Sequence, residues 1–174
     1  MESATFHPED CKKDRIAPTE QDEWRNGLVH GVVHDESTYM LQNSDYYLGA
    51  AGLFSTAPDL LTFLEMLLDD GRYHNDACFS ESIIEKMFNI QFTDDDHKVG
   101  LGWELDAKRY MGESATTATF GKTGFTGCMV LGDMKVGRGL VLLSNRVHPK
   151  RPEDSDMINE VRQDIGDMVW AYNK

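Results

Sequence analysis

Three stretches of the chain carry apolar residues at helical spacing, and most of the region between the second and the third reads as strands. In the first, Leu60, Leu61, Leu64, Leu67 and Leu68 form one stripe. Ser55 or Thr56 suits its N-cap, Pro58 its first turn, and Asp59 its positive end. Gly71 after Asp70 supplies the stop. A second, shorter helix is predicted from near Ser80, with Ile83, Ile84, Met87 and Phe88 on one face. The last stretch, from about 154 to 172, repeats Met157, Ile158, Val161, Ile165, Met168, Val169 and Tyr172 and predicts a terminal helix over one face of a sheet.

Strands are predicted at 98–105, 115–120, 127–133 and 139–145, with 132–139 as a hairpin connection. Such short connections imply antiparallel pairing. Val29-His30-Gly31-Val32-Val33-His34-Asp35 reads as a short β-type run, residues 36–50 as loop and residues 1–25 as an irregular lead-in. The resulting division is one partial domain over 1–174, with a lead-in at 1–54, a helical portion at 55–90 and sheet plus helix at 98–174. One terminal helix covers a single sheet face. The N-terminal third offers few apolar residues for the other, so an uncovered face open to self-association is expected.

The chain has 174 residues, 40% of them apolar, enough for one core, and a net charge of −13. That surface disfavours nucleic acid and anionic membranes, and no Lys/Arg cluster offers an exception. Asp94-Asp95-Asp96 reads as a solvated turn. No apolar run reaches membrane-spanning length, and Met1-Glu2-Ser3-Ala4 lacks the pattern of a signal peptide. Cys11, Cys78 and Cys128 are odd in number and far apart, which argues against a disulfide framework or a zinc site. A cytoplasmic location is the default expectation, although a longer parent protein could be exported.

One stretch suggests chemistry more than packing: Phe120-Gly121-Lys122-Thr123-Gly124-Phe125-Thr126-Gly127. Glycines in a strand mark a bulge or a close approach of a ligand to the backbone. An ammonium at Lys122 can hold a carboxylate or tune a neighbouring hydroxyl. Thr123 can donate a hydrogen bond, and an N–H just after Gly124 can point at a developing oxyanion. His30, His34 and Asp35 invite a metal reading, but Gly31, Val32 and Val33 disfavour the helix that His-x-x-x-His needs, and a local hydrogen-bonding role is expected. No metal and no cofactor is expected. Cys128 reads as a small buried hydrophobe.

Lys-Thr-Gly on a strand is an element of serine β-lactamases and penicillin-binding proteins. The longer stretch resembles the Gly-His/Lys-Thr-Gly-Phe/Ala-Thr-Gly signature of class C β-lactamase-related esterases and peptidases. Three further stretches resemble that family in the same order. These are Val32-Val33-His34-Asp35-Glu36, residues 49–61 with Gly52-Leu53-Phe54-Ser55-Thr56-Ala57, and Val141-Leu142-Leu143-Ser144-Asn145-Arg146-Val147-His148-Pro149. The resemblance implies an α+β fold, an antiparallel sheet of three to five strands with a C-terminal helix on one face and a small helical portion. This would be the C-terminal part of the β-lactamase/transpeptidase-like fold.

The resemblance also implies acyl transfer on ester, amide or β-lactam carbonyls, or on peptidoglycan-type substrates. Serine attacks, a Lys/Tyr pair handles the proton, and water releases the acyl group. By position, Lys122 would shape the field, Thr123 and Gly124 would contact substrate, and the Phe125 N–H would be one of two oxyanion donors. Asn145, Arg146 and Lys150 lie where related enzymes place groups near a substrate carboxylate, with a plain surface-loop role as the equal alternative. The family's nucleophilic Ser-x-x-Lys occurs nowhere in the 174 residues, and Tyr73-His74-Asn75 comes too late in the order to be its tyrosine motif. Met1-Glu2-Ser3-Ala4-Thr5-Phe6-His7-Pro8 itself resembles an internal family segment. The expectation is therefore a chain that begins inside a longer family sequence and is not a competent hydrolase alone. A non-catalytic module that binds a partner or a second copy is the alternative.

Overall fold

The leucine stripe folds into a helix whose ends sit where its caps place them. In the computed structural model, which describes residues 1–42, 46–94 and 97–172, helix Ala57–Leu68 starts at Thr56, whose hydroxyl accepts from the Asp59 N–H. Its end is turned by Asp69, Asp70 and Gly71, the last two at positive φ. In chain order, a 3-10 turn (Asp10–Arg15) is followed by β1 (Gln21–Asp22), β2 (Gly27–Leu28), α1 (Glu36–Leu41) and α2 (Ala57–Leu68). Then come β3 (Arg72–Tyr73), β4 (Asp76–Ala77), α3 (Glu81–Phe88), β5 (Phe92–Thr93), β6 (Lys98–Val99), β7 (Glu104–Leu105) and α4 (Lys108–Met111). The chain closes with β8 (Thr119–Thr123), β9 (Met129–Asp133), β10 (Arg138–Leu142) and α5 (Met157–Ala171).

The main sheet has six strands in the order β10-β9-β8-β7-β6-β5, each antiparallel to its neighbour. Register places Phe120, Gly132 and Gly139 in one row across it. α2 packs on that row. A Cβ at Gly139 would overlap Leu64, and one at Gly132 would overlap the Phe120 ring, so the two glycines let helix and ring reach the sheet. Leu64, Leu67, Ile84, Leu105 and Phe120 form the buried centre of this layer. On the opposite face, Met129 and Leu131 pack with Tyr110 and Met111 of α4, and α5 covers them through Trp170. The Trp170 indole N–H donates to the Met111 carbonyl at 2.7 Å.

This arrangement corrects the expectation of an uncovered sheet face. α2 and α3 fill it, so an open face gives no ground for self-association. Other differences are local. Residues 29–34 form no strand, since Gly31 takes a positive φ and the pairing falls earlier, at β1 and β2. Residues 36–41, read as loop, are helical because the Asp35 carboxylate accepts from the Thr38 N–H at 2.7 Å. The stretch 98–105 divides into two short strands at Gly100 and Gly102, which together with β5 lengthens the sheet to six. The face of α5 is also rotated from the apolar stripe. Arg162 and Gly166 are buried, while Met157, Val161, Met168 and Tyr172 stay exposed. In α3, Ile84 enters the core and Ile83 does not. Asp95 and Asp96 of the acidic turn lie outside the described residues.

Candidate active-site wall

β8 carries the signature stretch between β7 and β9. Lys122 pairs with Val130 and Thr123 with Met129. The strand ends at Thr123 and the chain turns back at once: the Gly124 N–H donates to the Cys128 carbonyl at 2.8 Å, and the Gly127 N–H to the Gly124 carbonyl at 3.0 Å. Gly127 has φ +109, and a Cβ there would overlap the Ser144 hydroxyl, so both backbone and space demand glycine. Among the described residues the Phe125 N–H at the tip of this turn makes no hydrogen bond.

Lys122 is largely exposed, and its ammonium lies 3.5 Å from Glu104, which also pairs with Arg109. Thr123 and Gly124 are half-buried. The exposed Phe125 ring is held on several sides. The His34 ring lies 5.3 Å away, and the guanidinium groups of Arg151 and Arg146 lie 5.1 and 5.4 Å from its centre. Arg146 Nε donates to the Phe125 carbonyl at 3.0 Å, and its backbone N–H to Thr126 at 2.8 Å. Asn145 turns the other way: its amide group donates to the Pro18 carbonyl, tying the late strand to the N-terminal segment. Lys150 is exposed in the following loop. Structure therefore gathers Lys122, Thr123, Gly124, Phe125 and Arg146 at one strand end, while Asn145 serves as an anchor beside them.

Glu20, Arg151 and Arg162 also join this wall. Glu20 is nearly buried and accepts from both Nε and Nη2 of Arg151, at 2.9 and 2.7 Å, with Glu36 as a second partner of that guanidinium. Glu20 also lies 3.4 Å from His34 Nε2, while His34 Nδ1 shares a 2.8 Å hydrogen bond with Thr19. Burial holds the His34 imidazole below its ordinary pKa, against the opposing pull of Glu20. The third is Arg162 of α5, which donates to the carbonyls of Gly124 and Cys128 at 2.9 and 3.0 Å. Only Arg162 left a trace in the sequence, as a charge four residues after Ile158 on a helix with an apolar face.

His30 and His34 do not converge. The His30 ring nitrogen lies 2.9 Å from the carbonyls of Lys13 and Ile16, whereas His34 engages Thr19 and Glu20. Among the described residues no three His, Cys, Asp or Glu side chains are placed to hold a metal ion. Cys128 is a half-buried free thiol whose sulfur lies 3.4 Å from the Ser144 carbonyl. Among the described residues no helix is long and apolar enough to cross a membrane.

The family model described as Beta-lactamase matches residues 1–163. N-acetylmuramyl-L-alanine amidase of Bacillus subtilis (strain 168) is 31% identical over 128 residues, 71% of this chain and 28% of that protein. The "Putative D-alanyl-D-alanine carboxypeptidase" of Escherichia coli O157:H7 is 32% identical over 152 residues, 79% of this chain and 34% of that protein. A solved penicillin-binding protein homologue from Caulobacter crescentus shares the fold with a TM-score of 0.57 at 15% identity, over 92% of this chain and 47% of that one. The chain thus spans about a third of the length of the curated relatives it matches.

Proposed function

The chain belongs to the Beta-lactamase family, and from that premise we propose that β8 and the turn after it form the orienting and polarising wall of a serine acyl-transfer site. The Phe125 N–H carries this reading, being a donor without a partner at the tip of a turn held on several sides. A fixed donor that costs no reorganisation is what a developing oxyanion requires. Lys122 sets the local field, with Glu104 limiting its excursion. Thr123 and Gly124 meet the substrate's carbonyl or carboxylate, and Arg146 and Lys150 add positive charge to a chain that is otherwise strongly acidic. Asn145 supports them through the N-terminal segment.

The attacking group comes from outside these residues, because none of the serines here is followed three positions later by lysine. The substrate class is a peptidoglycan-type amide or ester, in line with the names of the amidase and carboxypeptidase relatives. The test is hydrolysis of a chromogenic ester and a chromogenic cephalosporin. The 174-residue chain is expected to match buffer alone, and a longer protein containing an upstream Ser-x-x-Lys to turn over. In that protein Lys122→Ala is expected to lower kcat by about a hundredfold, the scale of one lost electrostatic group. Turnover by the 174-residue chain, abolished by Lys122→Ala, would overturn the division of labour.

A further inference from the structure

Arg162 is only 4% exposed, and among the described residues it has no carboxylate partner. Its guanidinium is spent instead on two backbone carbonyls, Gly124 at 2.9 Å and Cys128 at 3.0 Å, and on the Asn159 side chain at 2.9 Å. A buried cation without a counterion is costly, so the arrangement calls for a reason. The two carbonyls are the closing pair of the turn after β8. The Gly124 carbonyl and the Phe125 N–H also belong to one peptide group, and a planar trans peptide fixes them on opposite sides.

We infer that Arg162 is a positioning residue that aims and polarises the Phe125 N–H through the carbonyl of the same peptide. With the oxygen held by the guanidinium, the N–H points away from α5 and cannot rotate without breaking that bond. A cation on the oxygen also draws electron density from nitrogen and makes the N–H a better donor. Its use in catalysis rests on the proposed role of Phe125 as an oxyanion donor. Its effect on the peptide is measurable without turnover.

Base-catalysed hydrogen exchange reads that effect directly. Removing the amide proton places negative charge on the carbonyl oxygen, where Arg162 stabilises it. In the isotopically labelled 174-residue chain, the Phe125 N–H is expected to exchange at least about threefold faster than in an unstructured Gly-Phe peptide. Arg162→Met is expected to slow Phe125 while speeding Gly124 and Gly127 by about tenfold, as the turn loosens. Arg162→Lys, which keeps the charge, is expected to retain part of the Phe125 rate. Loosening alone would speed Gly124 and Gly127 and would not slow the already unbonded Phe125 N–H, so a slowed Phe125 marks polarisation. A Phe125 rate equal to or below the peptide reference, or unchanged in Arg162→Met, would overturn the inference. The reference comparison needs no variant and stands even if Arg162→Met does not fold. Failure of the longer, serine-containing protein to turn over would remove the catalytic use of the donor and leave the exchange result intact. Turnover together with unaltered exchange would do the reverse.

Discussion

Glu20 and Arg151, 131 residues apart in the chain, meet in a two-pronged ion pair in which Nε and Nη2 both reach Oε2, at 2.9 and 2.7 Å. The pair closes the N-terminal segment onto the loop after β10, beside the backbone bond from the Gln21 N–H to the Pro149 carbonyl at 2.8 Å. It also sets His34 and Arg151 against the Phe125 ring.

The hydrogen bonds from Arg151 hold the Glu20 carboxyl below its ordinary pKa, outweighing burial. A carboxyl lowered on folding contributes stability above its unfolded value, and that stability is lost as pH falls through the folded one. Arg151→Met is therefore expected to cost about 1–3 kcal/mol at pH 7, toward the lower end because Arg151 is partly exposed. Urea titrations of the variant and the parent chain should converge as pH falls below the ordinary glutamate range. A gap that persisted unchanged in acid would count against the ion pair as its source.

Asp133 at the end of β9 is almost wholly buried and fully engaged. The hydroxyls of Thr116 and Thr119 donate to one oxygen at 2.6 and 2.7 Å, and the N–H groups of Lys135 and Val136 donate to the other at 2.9 Å each. Burial alone would push this carboxyl up, but the four donors outweigh it and leave it below its usual value. Asp133→Ala strands those donors and is expected to cost about 2–4 kcal/mol by chemical denaturation. Asp133→Asn, which faces hydroxyl and amide donors with an NH2 group, is expected to recover only part of it.

At Gly127, an alanine meets both a positive φ and the Ser144 hydroxyl. Gly127→Ala is expected to cost about 1–3 kcal/mol. The amide resonances of Gly124 through Cys128 should shift with little change in β9 and β10. Disturbance spread evenly through the sheet would show that the glycine serves general packing instead.

Tyr110 offers a readout at alkaline pH. Burial first, and the Glu104 charge second, push its phenol well above the ordinary tyrosine range. The folded state thus holds this proton more tightly than the unfolded one. Its contribution to stability is complete below the unfolded value of about 10 and is lost as pH rises further. An ultraviolet titration is expected to show a tyrosine that ionises only with unfolding, and that component should vanish in Tyr110→Phe. The hydroxyl has no hydrogen-bond partner among the described residues, so the substitution is expected to change stability by no more than about 1 kcal/mol.

Much of this protein follows from its sequence through short-range physics. The Leu60–Leu68 stripe, the cap at Thr56 and the stop at Gly71 are set by interactions within a few residues, and α2 formed where they required. The glycine-bounded turn after Lys122 is local in the same way, and its residue types mark it as the candidate site. Contacts across long separations were decided by tertiary structure alone. The row of Phe120, Gly132 and Gly139 faces α2 because strand register aligned it, and that helix closed the face that helix counting left open. Arg162 reaches Gly124 across 38 residues, and Arg151 reaches Glu20 across 131. Periodicity assigns a residue to a helix face, but it does not say which carbonyl or carboxylate packing will bring to that face. Sequence alone therefore displayed the glycine-bounded turn at Phe125, and only the packed chain revealed the buried guanidinium that holds its carbonyls.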